Sequence, residues 1–206
     1  ISTDDGICVF ERAKNTFRSF DKSDGLQSLE FAMNATYKDK DGFIYFGGSD
    51  GFNRFHPDNI IYNTHIPMVF ISSFKIFNKE VEPNKKQNGK IYFSKPIYLI
   101  DTIFLDHNDN VFSMQFTAVD YASPEKNKFA YRLEGLEENW NYVDASKRIA
   151  TYTNLAPGTY IFHVKASNND GLWNEQGRKL TIIVTPAWWQ TWWFRVILAL
   201  FILTIL

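Results

Sequence analysis

The sequence holds a single cysteine in 206 residues, so no disulfide can close within the chain. Cys8 lies in the alternating run Ile7-Cys8-Val9-Phe10 and reads as a small strand residue, not a reactive thiol. Neither sign of charge is in excess. The 22 basic and 23 acidic residues leave a net charge of -1. That balance provides no field to gather nucleic acid, so no nucleic-acid partner is expected. Nucleophile elbow, phosphate-cradling glycine loop and kinase signature are all missing, and no catalytic residue is assigned. The histidines His56, His65, His107 and His163 have no ligand spacing and no cysteine beside them, so no metal or other cofactor is expected. No apolar run reaches the ~20 residues of a membrane span. No initiator methionine or signal peptide opens the chain.

What is present is aromatic. Phe, Tyr and Trp make up 17% of the chain, with 19 Phe and 10 Tyr. Aromatic side chains fit pleated surfaces, so strands are favoured over helices. Hydrophobic residues at 45% and charged residues at 22% are those of a globular protein, which excludes disorder.

Both ends read as cuts through a longer protein. From 196 to 206 only Thr204 is polar, and Trp188, Trp189, Trp192, Trp193 and Arg195 stand just upstream. Indole rings favour the headgroup layer and an arginine can snorkel to it. Residues 188–206 are therefore expected to be a Trp-rich juxtamembrane segment and the first part of a transmembrane helix.

At the front, Ser2-Thr3-Asp4-Asp5-Gly6-Ile7-Cys8-Val9-Phe10 and Gly47-Gly48-Ser49-Asp50-Gly51-Phe52-Asn53-Arg54-Phe55 align at an offset of 45, and Asp41-Gly42 adds a third Asp-Gly pair. Strand, Asp-Gly turn, strand is a hairpin signature. A period near 45 is that of a propeller blade, and blades need neighbours to bury a core. The run from Ile44 through Tyr45-Phe46-Gly47-Gly48-Ser49-Asp50-Gly51-Phe52 to Phe55 resembles the two-component-regulator propeller repeat, with Tyr45 where tryptophan is usual. Residues 1–62 are expected to be a C-terminal propeller blade remnant.

From residue 63 the turn chemistry changes. Strands are expected at 67–71, 74–77, 91–93, 97–105, 128–134, 140–143, 149–153, 159–167 and 179–185. In another, Phe112, Met114, Phe116 and Ala118 alternate with Ser113, Gln115 and Thr117. Asp106-His107-Asn108-Asp109-Asn110 reads as a solvated break, lacking the glycine and closing glutamate of a calcium loop. Glu134, Glu137 and Glu138 read as a solvated turn, and His163 as an outward strand residue. Many short strands with regular turns predict an immunoglobulin/fibronectin-like antiparallel β-sandwich over 63–187. The whole chain is thus expected to be all-β.

Leu155-Ala156-Pro157-Gly158-Thr159-Tyr160 resembles a tyrosine corner, with Pro157 presetting φ and Gly158 free to turn. The stretch from Asn110 to Trp193 is similar to the three-tyrosine (Y_Y_Y) domain. The resemblance rests on Phe112-Ser113-Met114-Gln115-Phe116, Tyr131-Arg132-Leu133-Glu134-Gly135-Leu136, Tyr152-Thr153-Asn154-Leu155, Pro157-Gly158-Thr159-Tyr160 and Asn168-Asn169-Asp170-Gly171-Leu172-Trp173. It implies that Tyr131, Tyr152 and Tyr160 are the name-giving tyrosines, with structural roles.

The resemblance further implies the periplasmic, membrane-proximal part of a hybrid two-component sensor in an inner membrane. There, missing propellers take an oligosaccharide ligand. The sandwich forms a homodimer and relays the signal through one helix to a cytoplasmic histidine kinase. Trp188, Trp189, Trp192 and Trp193 would be the coupling segment. The alternative is a membrane-anchored carbohydrate-binding or adhesive module. Trp140 and Trp173, with Asn168 and Asn169, are its candidate sugar platform, against a reading in which both indoles plug the core.

Overall fold

The computed structural model describes residues 1–12 and 15–205 and is almost entirely β. The chain divides into two units, Ile1–Thr64 and His65–Leu206.

In the first unit, β1 (Ser2–Thr3), β2 (Gly6–Glu11) and β3 (Thr16–Phe20) form one antiparallel three-stranded sheet. A second is built from β4 (Phe31–Lys38), β5 (Ile44–Gly48) and β6 (Gly51–Phe55). Asp5-Gly6 and Asp50-Gly51 close equivalent hairpins between β1 and β2 and between β5 and β6. Gly6 has φ 101, and a Cβ there would lie 2.1 Å from the Phe20 carbonyl oxygen, so only glycine fits. In β4 the pairing jumps from Phe31 opposite Gly48 to Thr36 opposite Phe46. The residues between them bulge around Asn34 at φ 62.

The second unit is a β-sandwich. Its strands are β7 (Met68–Ile76), β8 (Lys79–Glu80), β9 (Thr102–Leu105), β10 (Val111–Val119), β11 (Lys128–Glu134), β12 (Asn141–Asp144), β13 (Ile149–Thr153), β14 (Gly158–Ser167) and β15 (Arg178–Val184). One sheet has the order β13-β10-β7-β8, the other β12-β11-β14-β15-β9. All pairs are antiparallel except β9 with β15, where Thr102 faces Thr181 and Leu105 faces Val184.

Several expected strands are altered. The strands expected at 67–71 and 74–77 are one strand, β7, and Phe77 lies in the turn that follows it. Residues 97–105 do not run as one strand: Pro96 precedes a 3-10 turn over Ile97–Leu99, and only Thr102–Leu105 joins a sheet. A proline cannot donate to a ladder and biases its surroundings towards turns. Residues 91–93 join no ladder, although Tyr92 and Phe93 are buried in the core.

Alternation on both sheets fills the interior. Phe74, Phe112, Met114 and Phe116 from one sheet meet Phe129, Leu133, Phe162, Val164, Leu180 and Ile182 from the other, all essentially inaccessible to solvent. The Phe116 ring lies 5.5 Å from Phe129, 5.5 Å from Tyr131 and 6.2 Å from Phe162, tying the two layers together. Ser113 faces away from the core yet is buried, its hydroxyl 2.9 Å from that of Thr151 on β13.

The chain ends in α1 (Trp192–Ile205), 14 residues long. At ~1.5 Å rise per residue it measures about 21 Å, against ~30 Å of bilayer hydrocarbon. Among the described residues no helix is long and apolar enough to cross a membrane. Leu206, the last residue of the expected anchor segment, lies outside the described residues.

The Phe116–Phe162 contact sets a first expectation. Phe162→Ala should lower sandwich stability by about 3–5 kcal/mol, through lost burial and a residual cavity, as read by urea unfolding.

Candidate functional site

Strand directions gather one end of the sandwich around the exit of the chain. The C-termini of β7, β9, β11 and β15 and the N-termini of β10 and β14 all lie there. Beyond β15, the Thr185 N–H and hydroxyl donate to the Leu105 carbonyl at 2.9 and 3.2 Å. Ala187 is buried. Next comes a 3-10 turn, Trp188–Gln190, and the Trp189 indole meets the His107 ring edge-on at 4.9 Å. Trp188 packs edge-on against Phe194 at 4.9 Å. Trp188, Trp189, Trp192 and Trp193 all remain exposed. The start of α1 is thus fixed to the sandwich through a strand, a buried alanine and one ring contact.

The loop that presents His107 is held by charge. Asp109 is only 4% exposed. Its carboxylate accepts from Lys90 Nζ at 2.6 Å, from the Tyr92 hydroxyl at 2.6 Å and from the Asp106 N–H at 3.0 Å. Asp106 also accepts from Lys90 Nζ, at 2.8 Å. Burial alone would raise the Asp106 carboxyl, but the Lys90 hydrogen bond and charge and the Asn108 N–H outweigh it and hold it below the usual carboxylate range. Burial, and then the bond to Asp109, push the Tyr92 phenol well up. Of residues 106–110, His107, Asn108 and Asn110 are exposed as expected of a solvated break, but Asp109 is buried. The cation at this acidic loop is the protein's own Lys90, from the far end of the 82–89 loop. Between this loop, Asn154, Pro157 and Gln190 lies a cleft of about 200 Å³.

The three tyrosines have three surroundings. The Tyr160 hydroxyl donates to the Ala156 carbonyl at 3.0 Å across the turn that contains Pro157. The left-handed residue of that turn is Asn154, at φ 52; Gly158 is not left-handed. Tyr131 is half-buried against Phe116 and Phe162. Tyr152, on the four-stranded sheet, donates to Glu137 Oε2 at 3.1 Å, and Glu137 follows β11 of the five-stranded sheet. The same carboxylate takes the Leu133 N–H at 2.7 Å and the Asn141 amide at 2.9 Å. Glu137 is a stitch between sheets, not part of a solvated turn. Burial first, and the Glu137 charge second, raise the phenols of Tyr152 and Tyr131.

The aromatic candidates lie on the outer face of the five-stranded sheet, not in its core. Lys165 Nζ sits 4.7 Å from the Trp140 ring centre and 5.3 Å from that of Trp173, and Arg132 sits 4.8 Å from Trp140. Tyr142 meets Trp173 edge-on at 5.8 Å. The indoles are thus engaged by the protein's own cations. Asn168 is buried: its amide donates to the His65 carbonyl, and its oxygen takes the Asp170 and Leu172 N–H groups. Asn169 beside it is half-buried.

His163, expected to point outwards into solvent, is 7% exposed. Trp140 covers it edge-on at 4.9 Å, and its Nε2 lies 3.1 Å from the Gln176 carbonyl. β14 is central in its sheet, and the indole roofs its outer face. Burial lowers the His163 pKa, and the charges of Lys179 and Arg132 add to that, against the Gln176 carbonyl and Glu134. The buried histidine, the Glu137 stitch and the Lys90–Asp109 pair had no signal in spacing, because each partner is set by a different strand or loop. Among the described residues, no group of His, Cys, Asp and Glu could hold a metal ion.

The geometry is that of a tyrosine-cornered β-sandwich continuous with a tryptophan-headed apolar helix. Residues 120–185 match the model of the Y_Y_Y domain. Over all 206 residues the chain is 35% identical to Histidine kinase P4 of Formosa agariphila, and it spans 15% of that protein. The extracellular domain of the hybrid two component system BT3049 from B. thetaiotaomicron is similar with a TM-score of 0.71 and 31% identity, over 90% of this chain and 24% of that one. The extracellular domain of the hybrid two component system BT4673 from the same organism gives 0.54 and 26%, over 91% and 24%.

The Lys90→Met change should cost about 2–3 kcal/mol, because it strands a buried carboxylate, and Asp109→Asn added to it, which removes the charge but keeps an acceptor for the Tyr92 hydroxyl, should recover part of that loss in urea unfolding. His163 binds its proton more weakly folded than unfolded. The neutral form that the fold favours is therefore fully present above the unfolded pKa, and stability falls as pH drops below about 6.5 towards the folded value. Melting temperatures from about pH 7 to about pH 5 should decline in the parent and decline less in His163→Gln.

Proposed function

We propose that this chain is the membrane-proximal part of a hybrid two-component sensor in the inner membrane. Its periplasmic sandwich relays oligosaccharide sensing by upstream propellers to a cytoplasmic histidine kinase. The observation that carries the reading is the direct, anchored passage from β15 through buried Ala187 and the Trp189–His107 contact into the apolar helix α1. A stiff sandwich so joined to a helix passes a change in its own arrangement to that helix. The similarity to a histidine kinase and to two extracellular sensor domains supports the same reading. The two three-stranded sheets, with their equivalent Asp-Gly hairpins, suit the last blades of a propeller that continues upstream. Exposed Phe17, Met33, Tyr37 and Phe52 are apolar surface of the kind that neighbouring blades cover.

In this scheme the sandwich works as a homodimer. Ligand shifts the equilibrium between two dimer arrangements by its differential affinity for them. Trp188, Trp189, Trp192 and Trp193 are the coupling segment.

The experiment is insertion of residues between positions 186 and 192 of the full-length protein. Ligand affinity should stay intact while ligand-dependent transcriptional output is lost. Unchanged output across insertions of several lengths refutes the relay.

A further inference from the structure

At the end of the sandwich where α1 begins, one side chain is placed against the preferences of its turn. The hairpin from β7 to β8 closes through Phe77 and Asn78, both left-handed, at φ 49 and 61. Two left-handed residues in a two-residue hairpin loop suit Asn-Gly, and a bulky ring in the first position is strained. Burial does not account for it, since Phe77 is 45% exposed. The turn is nonetheless firmly held. The Phe77 N–H donates to the Val111 carbonyl at 3.0 Å, and the Gln87 amide donates to the Ile76 carbonyl at 3.4 Å. A rigid turn thus presents an aromatic tip.

The ladders fix which way it points. Ile76 faces Phe112, and the Asn154 N–H meets the Asn110 carbonyl. The loop before Asn110 carries His107 against Trp189. The Phe77 tip and the root of α1 therefore share one end of the unit. Exposed Lys79 flanks the tip, as do Lys85 and exposed Lys86 in the adjoining loop. The acids of that segment are Glu80 and Glu82, the latter paired with Lys85 at 2.5 Å, and the neighbouring Asp106 and Asp109 are paired with Lys90.

We propose that Phe77 is a second membrane contact: its ring enters the interfacial layer of an anionic bilayer, with Lys79 and Lys86 among the headgroups. Aromatic rings favour that layer, and lysines beside them meet anionic lipid. The contact extends the tryptophan belt of 188–193 sideways. With two points of contact the sandwich cannot swivel freely about α1, so its tilt and the helix move together. This rests on the anchored reading above, since a chain without a membrane at α1 has none at Phe77.

The test places photoreactive p-benzoylphenylalanine at 77, at 192 or at 121 in the full-length protein, reconstituted in phosphatidylcholine–phosphatidylglycerol vesicles. Position 192 reports the anchor. Position 121 is a water control: Tyr121 is 84% exposed at the opposite end of β10. Lipid adducts are expected at 77 and 192, several-fold above those at 121, with the yield at 77 falling several-fold on phosphatidylcholine alone. Adducts at 192 without adducts at 77 overturn the proposal and leave the anchor standing. No adduct at 192 removes the anchored reading and this contact with it. Yields at 121 equal to those at 77 overturn it as non-specific, and equal yields at 77 on both lipids overturn the anionic assignment.

Discussion

The second unit depends on one constraint: the rings of Phe116, Phe129, Tyr131 and Phe162 must share the space between two sheets. Each ring comes from a strand whose alternate residues point inwards, so the register of β10 against β7 and of β11 against β14 is set by this cluster. A slip of one residue would turn Phe116 and Phe162 outwards and expose every partner. Fully burying one such ring is worth ~1.5–3 kcal/mol, so the register is strongly specified.

Polar groups adjust what the apolar cluster leaves open, and they do so at the edges. Glu137 binds Tyr152 across the sheets, Tyr160 closes its own corner, and Lys90 neutralises Asp109 beneath the loop that carries His107. All three lie at the end from which α1 departs. These polar ties thus gather at the end that leads into α1. The outer face of the five-stranded sheet is braced differently, by Arg132 and Lys165 against Trp140 and Trp173. Cation–π contacts of this kind cover a central strand without making a second core. That cover is why His163 is buried on the face expected to be wet.

Local signals carried far in some places and failed in others. The alternation of Phe112, Met114 and Phe116 marks β10 and its inward face. The Asp-Gly pairs mark hairpins, and Pro157 with Tyr160 marks the corner. Each depends only on residues a few positions apart. Residues 97–105 failed at their front, where Pro96 leads into the turn Ile97–Leu99, and the parallel pairing of the remaining Thr102–Leu105 with β15, nearly eighty residues away, is encoded by no local pattern. Glu137 and Asp109 looked like surface acids because their partners come from other elements. Asn168 looked available for a ligand, although a loop closure had already used its amide.

The amino-acid sequence by itself determined the all-β class, the two-part organisation of its motifs, the tyrosine corner and the aromatic, apolar character of the end. These follow from residue type, short-range periodicity and turn chemistry. Tertiary structure alone decided which carboxylates are buried, which cation answers them, and which face the tryptophans cover. It also set the Phe77 tip, the His107 loop and the root of α1 at one end. Burial and charge pairing are properties of neighbours in space, and in a two-sheet sandwich those neighbours are distant along the chain.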